Sequence, residues 1–301
     1  MRAKQEMLCF IRLHVGKERL MITYQVADIA LLTELNTLWE ECFADDASYI
    51  RFFYAHRFSA AQILAAMDGD KVVGVIHLLP LSIQQCGKRI PAQYAYAGGV
   101  REHYRRSGIY AELLRRAFAF CTARGELCVL HPATEALQEY YLKQGMQASF
   151  YCKQVRFTDP IQAAPRKLQF TDLDATTYRS IREAALKRLP MYGSWDTSAI
   201  SYAIAENIYC GGFCKQLHWE NAVYLLHGHV LENQLYVTET TLPDKLLALL
   251  HSDIAAAFDA VDSTYLLPAQ SCLPGELAMM GMQYPASSTH NCNGYLNLCL
   301  T

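Results

Sequence analysis

The sequence has little net charge of either sign. It contains 27 Lys and Arg residues against 29 Asp and Glu residues, which gives a formal net charge of −2. A field this weak does not favour nucleic acid or an acidic membrane surface. Charged residues make up 19% of the chain and hydrophobic residues 52%, a composition that excludes a disordered protein. Any anion that the protein binds must be held locally, and we expect no nucleic-acid and no membrane partner.

Long apolar runs are also lacking. No stretch approaches the roughly 20 apolar residues of a membrane-spanning helix. The apolar residues 8–11 are interrupted at once by Arg12 and make a poor signal peptide. We therefore predict a cytoplasmic protein, in which residues 1–20 are an N-terminal extension: either an addition before a start at Met21, or a disordered tail.

The cysteines lack a repeated short spacing. There are eleven, an odd number, in a chain of 301 residues that needs no disulfides to form a core, so we predict reduced thiols, as in the cytosol. Cys210, Cys214 and His218 recur at four-residue intervals. The Gly211-Gly212 pair argues against the helix that would bring them together, so we predict buried thiols there and no metal site.

What the sequence does contain is an apolar strand, a short basic loop and a helix in direct succession. Residues 94–100 are the strand and residues 104–110 the loop, which holds Arg105, Arg106 and Gly108. Apolar residues then recur at helical spacing, at Leu113, Leu114, Ala117, Phe118 and Cys121. The start of a helix presents free N–H groups and the positive end of its dipole, and neighbouring arginines add charge-assisted contacts. The stretch predicts a phosphate-binding loop.

Strands and helices mix along the whole chain, which predicts an α/β fold (α+β, with a mixed, mostly antiparallel sheet flanked by helices). In the first half we predict strands at 21–26, 62–67, 72–83, 90–100, 127–130 and 146–157 and helices at 29–43, 48–56, 111 to about 124, and 135–143. In the second half we predict strands at 168–170, 222–230, 235–240, 264–268 and 295–300 and helices at 176–189, 246–258 and 275–280. The order of elements indicates a degenerate duplication, with domains at 21–157 and 167–301 and a linker at 158–166.

The two predicted halves differ where chemistry is expected. The strand-to-helix loop of the second half, residues 240–245, has no glycine and no arginine, and it carries Asp244 where a phosphate would lie. Leu277 stands four residues before a glycine, as Tyr141 does in the first half. Only the first half is therefore expected to be active.

Two segments of the first half resemble the signatures of the GNAT acyltransferases. Residues 105–110, Arg-Arg-Ser-Gly-Ile-Tyr, resemble the R/Q-x-x-G-x-G/A motif, and residues 140–146, Tyr-Tyr-Leu-Lys-Gln-Gly-Met, resemble the F-Y-x-x-x-G-F segment. The resemblance covers about residues 21–157, and the second half only in outline. A GNAT domain followed by a degenerate copy is similar to the Eis-like acetyltransferases, here without the sterol-carrier-like domain that those proteins usually have. The departure is Tyr110, where the family most often has Gly or Ala.

The resemblance implies a site for acetyl-coenzyme A as the acyl donor. Main-chain amides from Arg106 to Ala111 would hold the pyrophosphate, a set that also includes Ser107, Gly108, Ile109 and Tyr110. Arg105 and Arg106 would lie beside it, and Val100 and Arg101 would pair through their main chain with the pantetheine arm. Gly98-Gly99 would form a bulge that separates two parallel strands, where an N–H group would polarise the thioester. Tyr141 would return a proton to the leaving thiolate.

The sequence offers several candidates for the base that removes a proton from the acceptor amine. His131, at the end of the strand across the gap, is the candidate, with Glu102 and Glu135 as further options. A chain of water molecules would serve as well. In Eis-like proteins the C-terminal carboxylate has this role, which would fall on Thr301.

Together these features predict an N-acetyltransferase, in which the acetyl group passes directly to a small-molecule or peptide amine. The alternative is a non-catalytic module that binds coenzyme A or a regulatory ligand. The sequence leaves open the acceptor, the acyl length and whether the chain forms a homo-oligomer. The aromatic helix at 48–56 would either line the acceptor site or pack in the core.

Overall fold

The computed structural model describes residues 11–15, 18–58, 62–158, 166–286 and 293–298. Within these ranges lie fourteen strands and seven α-helices. The strands are β1 (Ile11–Val15), β2 (Glu18–Val26), β3 (Ile63–Asp68), β4 (Lys71–Gln85), β5 (Lys88–Val100), β6 (Leu127–Leu130), β7 (Gln147–Phe157), β8 (Gln169–Asp172), β9 (Met191–Ser194), β10 (Phe213–Trp219), β11 (Ala222–Leu231), β12 (Gln234–Thr240), β13 (Asp262–Pro268) and β14 (Glu276–Tyr284). The helices are α1 (Leu32–Phe43), α2 (Ala47–Arg57), α3 (Ile109–Ala123), α4 (Glu135–Lys143), α5 (Ala175–Leu186), α6 (Thr197–Tyr209) and α7 (Asp244–Ala257). None of the seven helices is long and apolar enough to cross a membrane.

Side-chain caps fix the starts of several of these helices. Asp46 accepts hydrogen bonds from the N–H groups of Ser48 and Tyr49 at the start of α2. Thr134 caps α4 by accepting from the N–H of Leu137, and Asp196 caps α6 in the same way. Each cap satisfies an N–H group that has no acceptor within its helix, so the sequence sets where the helix begins.

The strands form one mixed sheet. Thirteen follow each other in the order β1-β2-β3-β4-β5-β6-β14-β7-β13-β12-β11-β10-β8, and β9 pairs with β4. Among the described strands, only β5 with β6 and β12 with β13 are parallel pairs, and a helix (α3 or α7) connects the two strands of each pair. The mixed, mostly antiparallel sheet flanked by helices, with one strand–helix–strand unit in each half, confirms the predicted fold class.

The short helix predicted near the end of the second half does not form. Residues 275–280 were expected to be helical, but β14 runs through them as a strand between β6 and β7. Met282 is buried there and Leu277 is exposed, so Leu277 is not the counterpart of Tyr141. Pairing of this segment with β7, and of the later residues of β14 with β6 as well, stabilises the extended form, although the spacing of the apolar residues fits a helix.

The chain ends also differ from expectation. Part of the expected N-terminal extension forms β1, which pairs with β2. In the expected strand at 295–300, only the isolated bridge of Tyr295 with Tyr192 is formed; its neighbour Gly294 bridges Phe150, and residues 299–301 lie outside the described residues. Because β7 pairs with both β13 and β14, the sheet runs across the expected linker without a break. The domain boundaries stay a prediction.

The two faces of the first-half sheet are covered differently. On one face α3 packs through buried residues such as Leu113 and Phe118. On the other face α1 and α2 join a core that continues into the second half, where Trp39 and Phe53 share a cluster with Trp195. A third core lies around α7. The gap between β5 and β6 is therefore bordered by α3 on one side and by both halves on the other.

Candidate active site

Strands β5 and β6 separate at a bulge. Their parallel pairing ends at Tyr94 and Val129, although β5 continues to Val100. Opposite β4, the pairing of β5 shifts by one residue at Ala97, which has a positive φ of 43°. The bulge therefore lies at Ala97 and Gly98, one residue before the predicted pair. It turns the end of β5 away from β6 and opens a gap between two strands of the sheet.

A buried histidine that the sequence reasoning missed supports this bulge. His77 on β4 is 1% exposed; its Nδ1 lies 3.3 Å from the carbonyl oxygen of Ala97 and its Nε2 lies 3.1 Å from the hydroxyl of Tyr54. A carbonyl can only accept, so Nδ1 carries the proton and Nε2 accepts from Tyr54. Burial lowers the pKa of His77 to about 4, so the ring is neutral near pH 7. No motif could have pointed to it.

The basic loop leads into α3 as predicted. After a short 3-10 turn at Glu102–Tyr104, Arg106 and Gly108 take positive φ angles of 62° and 87°, and α3 begins at Ile109. The Ser107 hydroxyl donates to the carbonyl of Tyr104 at 2.5 Å, so it closes the turn and does not cap α3. The first N–H groups of α3 have no acceptor inside the helix, and nothing lies within 4 Å of where a Cβ on Gly108 would be. This open helix start fits a phosphate group.

The three predicted arginines fall into two classes. Arg105 and Arg106 are exposed beside the start of α3, and Arg105 Nε donates to the carbonyl of Val100 at 3.0 Å. Arg101 is only 5% exposed and pairs with Glu41 at 2.8 Å and Glu34 at 3.2 Å.

The main chain of Arg101 is occupied as well. Its N–H donates to the carbonyl of Val73 at 3.0 Å, and its carbonyl accepts from the N–H of Tyr104 at 2.9 Å. Arg101 thus joins β4, β5 and α1, and the carbonyl of Val100 accepts from Arg105, so the pairing of these two residues with a pantetheine arm stays a prediction.

Tyr141 lies in the same cluster as the loop. It is on α4, 6% exposed, and its hydroxyl is 2.6 Å from that of Tyr110. The Tyr110 ring in turn packs on the bulge, since a Cβ at Gly98 would lie 2.7 Å from it. The side chain that departs from the family motif therefore connects the predicted acid to the gap between the strands.

Both hydroxyls of this pair are neutral near pH 7. Burial is the main cause that raises the pKa of each tyrosine. Either hydroxyl can donate the hydrogen bond that joins them. When Tyr110 donates, the bond lowers the pKa of Tyr141 and leaves the proton of Tyr141 free to point at another acceptor.

The candidate bases are spread over three positions. His131 follows β6 and is half-buried, and burial lowers its pKa, so it is neutral near pH 7 as a base must be. Glu102 and Glu135 are exposed. Thr301 lies outside the described residues, whereas Leu298 lines the pocket described next.

A small pocket opens where the two halves meet. It lies on the α1–α2 face of the sheet, opposite α3, and its lining residues are Arg57, Leu79, Trp195, Ala199, Tyr202 and Leu298. The aromatic helix α2 contributes to both expected roles: Phe53 and Tyr54 are buried in the core, whereas Tyr49 and Phe52 are half-buried and face α6.

The second half has no equivalent of the basic loop. There α7 begins with Asp244, whose carboxylate accepts hydrogen bonds from the N–H of Cys272 at 2.6 Å and the hydroxyl of Ser271 at 3.0 Å. Cys214 and His218 lie on β10 and Cys210 at the end of α6, so these three residues share no helix.

Comparison with known proteins agrees with this geometry. Residues 24–147 match the family described as "Acetyltransferase (GNAT) domain". No curated protein sequence matches the chain. A GCN5-related N-acetyltransferase from Anabaena variabilis superposes with a TM-score of 0.68 at 14% identity, over 87% of this chain and 72% of that one. Eis1 from Mycobacterium abscessus gives 0.62 at 11% identity, over 87% and 72%.

A more distant structure, Saccharomyces cerevisiae N-myristoyltransferase with bound myristoyl-CoA, gives a TM-score of 0.54 at 8% identity over 95% of this chain and 87% of that one. At these identities the structures establish the fold, and the family match covers the half that holds the bulge, the basic loop and Tyr141. The chain therefore has the GNAT fold, and its residues 24–147 match the acetyltransferase (GNAT) domain family.

Proposed function

We propose that this protein is an acyl-CoA-dependent N-acyltransferase that moves an acetyl group from acetyl-CoA to a primary amine by direct attack. The observation that carries the proposal is a set of contacts at the open start of α3: the Tyr110 ring packs on the bulge of β5, and its hydroxyl meets that of Tyr141. The GNAT family of residues 24–147 uses acyl-CoA, and the superposed yeast enzyme holds myristoyl-CoA.

The residues at the start of α3 fit a pyrophosphate. Main-chain N–H groups of Ile109, Tyr110 and Ala111 would bind its oxygens, and the exposed Arg105 and Arg106 would add charge. When bound, acetyl-CoA supplies the acyl group as a thioester. A carbonyl held in the gap would accept a hydrogen bond from main-chain N–H groups of the bulge.

Two side chains move the protons. As the amine nitrogen bonds to the carbonyl carbon and the carbon–sulfur bond breaks, Tyr141 gives its proton to the sulfur. His131, neutral because burial lowers its pKa, takes the proton that the amine loses. The products are an amide and a free thiol, and Tyr141 regains its proton from solvent.

The first test measures binding and turnover separately. Calorimetry with acetyl-CoA and a free-thiol assay over a panel of amines are run on wild type, Gly108→Glu and Arg105→Ala. Arg124→Ala, an exposed arginine at the other end of α3, is the matched control. We expect Gly108→Glu to abolish binding, Arg105→Ala to weaken it and Arg124→Ala to leave it unchanged. Wild-type binding no tighter than that of Gly108→Glu would refute the proposal.

A second function, a non-catalytic module that binds coenzyme A, has one observation in its favour. The Tyr110 ring packs on Gly98 and narrows the gap in which the thioester would lie. This alternative predicts coenzyme binding without thiol release on any amine, and a Tyr141→Phe variant indistinguishable from wild type. A large loss of thiol release in Tyr141→Phe, with coenzyme binding retained, would support the catalytic function over the non-catalytic module.

A further inference from the structure

A hydrogen-bonded cluster of three tyrosines and one glutamate lies on the face of the sheet opposite α3. Glu206 on α6 accepts through Oε1 from the hydroxyls of Tyr49 at 2.5 Å and Tyr202 at 3.0 Å. The Tyr49 hydroxyl is also 3.4 Å from that of Tyr96. Because Tyr49 donates its one hydroxyl proton to Glu206, it accepts a hydrogen bond from Tyr96. We call these four residues the Tyr–Glu cluster.

The cluster adjoins the bulge. Tyr96 immediately precedes Ala97 on β5, and its ring packs against Trp39 and Phe53 on the α1–α2 face. Gly98, on the other side of the bulge, faces Tyr110 and α3. The proposed coenzyme loop and the Tyr–Glu cluster therefore approach the gap between β5 and β6 from opposite faces of the sheet.

The carboxylate of Glu206 is only partly satisfied. Both hydroxyl donors bind Oε1, and no residue of the described part of the chain donates to Oε2. Arg57 is close enough to act on its charge but forms no ion pair with it within the described residues, and instead lies 5.8 Å over the Tyr202 ring. Burial raises the pKa of Glu206, a destabilisation that a bound cation would offset.

Aromatic and acidic side chains surround Glu206, with Arg57 as a nearby basic residue. Phe52 and Tyr209 stack 4.8 Å apart beside Tyr49, and Tyr209 is 46% exposed, so aromatic faces border the approach to Glu206. Asp45 and Asp46, both exposed, lie at the start of α2 on the same side. Aromatic faces next to carboxylates are the surroundings that bind ammonium groups.

Glu206 is badly placed to act as the base. Two phenol side chains, Tyr49 and Tyr96, separate it from the main chain of the bulge, so it does not reach an amine that attacks there. Its position suits a second positive charge on the same acceptor, some bonds away from the reacting nitrogen.

We propose that the Tyr–Glu cluster is the acceptor site and that it selects linear diamines or polyamines, with one ammonium bound to Glu206 while the other nitrogen, as the free amine, attacks the thioester. This assignment rests on the proposed acetyl transfer. The reaction is the one given above: one carbon–nitrogen bond forms, the carbon–sulfur bond breaks, and the anchored nitrogen stays protonated throughout.

The test compares three acceptor series of matched length: linear diamines, monoamines, and ω-amino acids that carry a carboxylate where the diamine has its second nitrogen. We expect wild type to use diamines with a kcat/KM roughly 10- to 100-fold above that of the matched monoamines, the range for a charged hydrogen bond. Glu206→Gln should remove this preference, so that the ratio of the two kcat/KM values falls to about one.

Glu183→Gln is the matched control, because Glu183 also accepts from two hydroxyls, those of Tyr192 and Ser194, away from the cluster. It should keep the preference. Equal use of diamines and monoamines by wild type would overturn the acceptor assignment and leave acetyl transfer intact. A preference for ω-amino acids would overturn it in favour of Arg57.

Acetyl-CoA binding without thiol release on any amine would refute acetyl transfer instead. Calorimetry with a diamine then tests the ammonium site independently of acetyl transfer. Binding that Glu206→Gln abolishes and Glu183→Gln keeps supports the ammonium site, and no binding to wild type overturns it. A thermal melt of Glu206→Gln within a few degrees of wild type shows that a lost preference is not a loss of fold.

Discussion

The hydrogen bond between Tyr110 and Tyr141 gives the sharpest prediction about catalysis. If Tyr110 donates to Tyr141, it stabilises the phenolate that forms when Tyr141 gives its proton to the thiolate. Tyr110→Phe removes this donor and keeps the ring that packs on Gly98. A hydrogen bond to a charged acceptor contributes about 1.5–3 kcal/mol. Since 1.36 kcal/mol is tenfold in rate, kcat should fall roughly 10- to 150-fold.

The assay is steady-state thiol release in a double-mutant cycle. Tyr141→Phe should lower kcat by roughly 10²- to 10⁴-fold, the contribution of a general acid. The double variant should be no slower than Tyr141→Phe alone, because the Tyr110 hydroxyl acts only through Tyr141. Binding of acetyl-CoA, measured by calorimetry, should change little in all three variants.

The pH profile supplies an independent check. Activity needs protonated Tyr141, so it falls as the pH rises through the pKa of this group. The hydrogen bond from Tyr110 lowers that pKa, and Tyr110→Phe should therefore move the alkaline limb to higher pH. An unchanged kcat in Tyr110→Phe, or rate losses that multiply in the double variant, would refute the role given to this pair.

Three further predictions concern the framework of the site. Gly98→Ala places a Cβ 2.7 Å from the Tyr110 ring, so thiol release should drop at least tenfold; full activity would show that the ring moves freely. Glu239→Gln removes the nearer counter-charge of buried Arg182 and leaves only Glu183 at 4.0 Å. It should lower the free energy of unfolding by about 3–5 kcal/mol in urea, and a loss below about 1 kcal/mol would contradict this. The pKa of His77 falls from 6.5 in the unfolded chain to about 4 when folded, so the unfolded chain binds more protons between these values. Stability should decrease by about 3 kcal/mol as the pH is lowered through that range, and His77→Gln should flatten this part of the curve.

The sequence predicted those parts of the site that depend on local signals. The basic loop lies between an apolar strand and an amphipathic helix, and α4 has both its cap at Thr134 and its closing Gly145 in the sequence. Such signals act within one turn of chain, so their outcome does not depend on distant partners. Tyr141 and the open start of α3 were accordingly placed on the predicted elements.

The parts that the sequence did not predict depend on distant residues. Arg101 directly follows β5, but its ion-pair partners Glu34 and Glu41 lie on α1, some sixty residues earlier in the chain. Glu206 was missed because α6 was not assigned. The segment of β14 fits a helix by spacing, and only its pairing with β6 and β7 decides otherwise. In each case long-range contacts override the local pattern.

The place of β14 also has a consequence for biosynthesis. Its two neighbours in the sheet, β6 and β7, are complete once Phe157 has been made, but roughly 120 further residues must follow before β14 begins, about 6–24 s at 5–20 residues per second. During this time β6 lacks its partner on one edge and β7 lacks partners on both edges, because β13 is also made later, and such edges promote aggregation. We expect chaperones to engage the chain at these unpaired edges until β13 and β14 have been made.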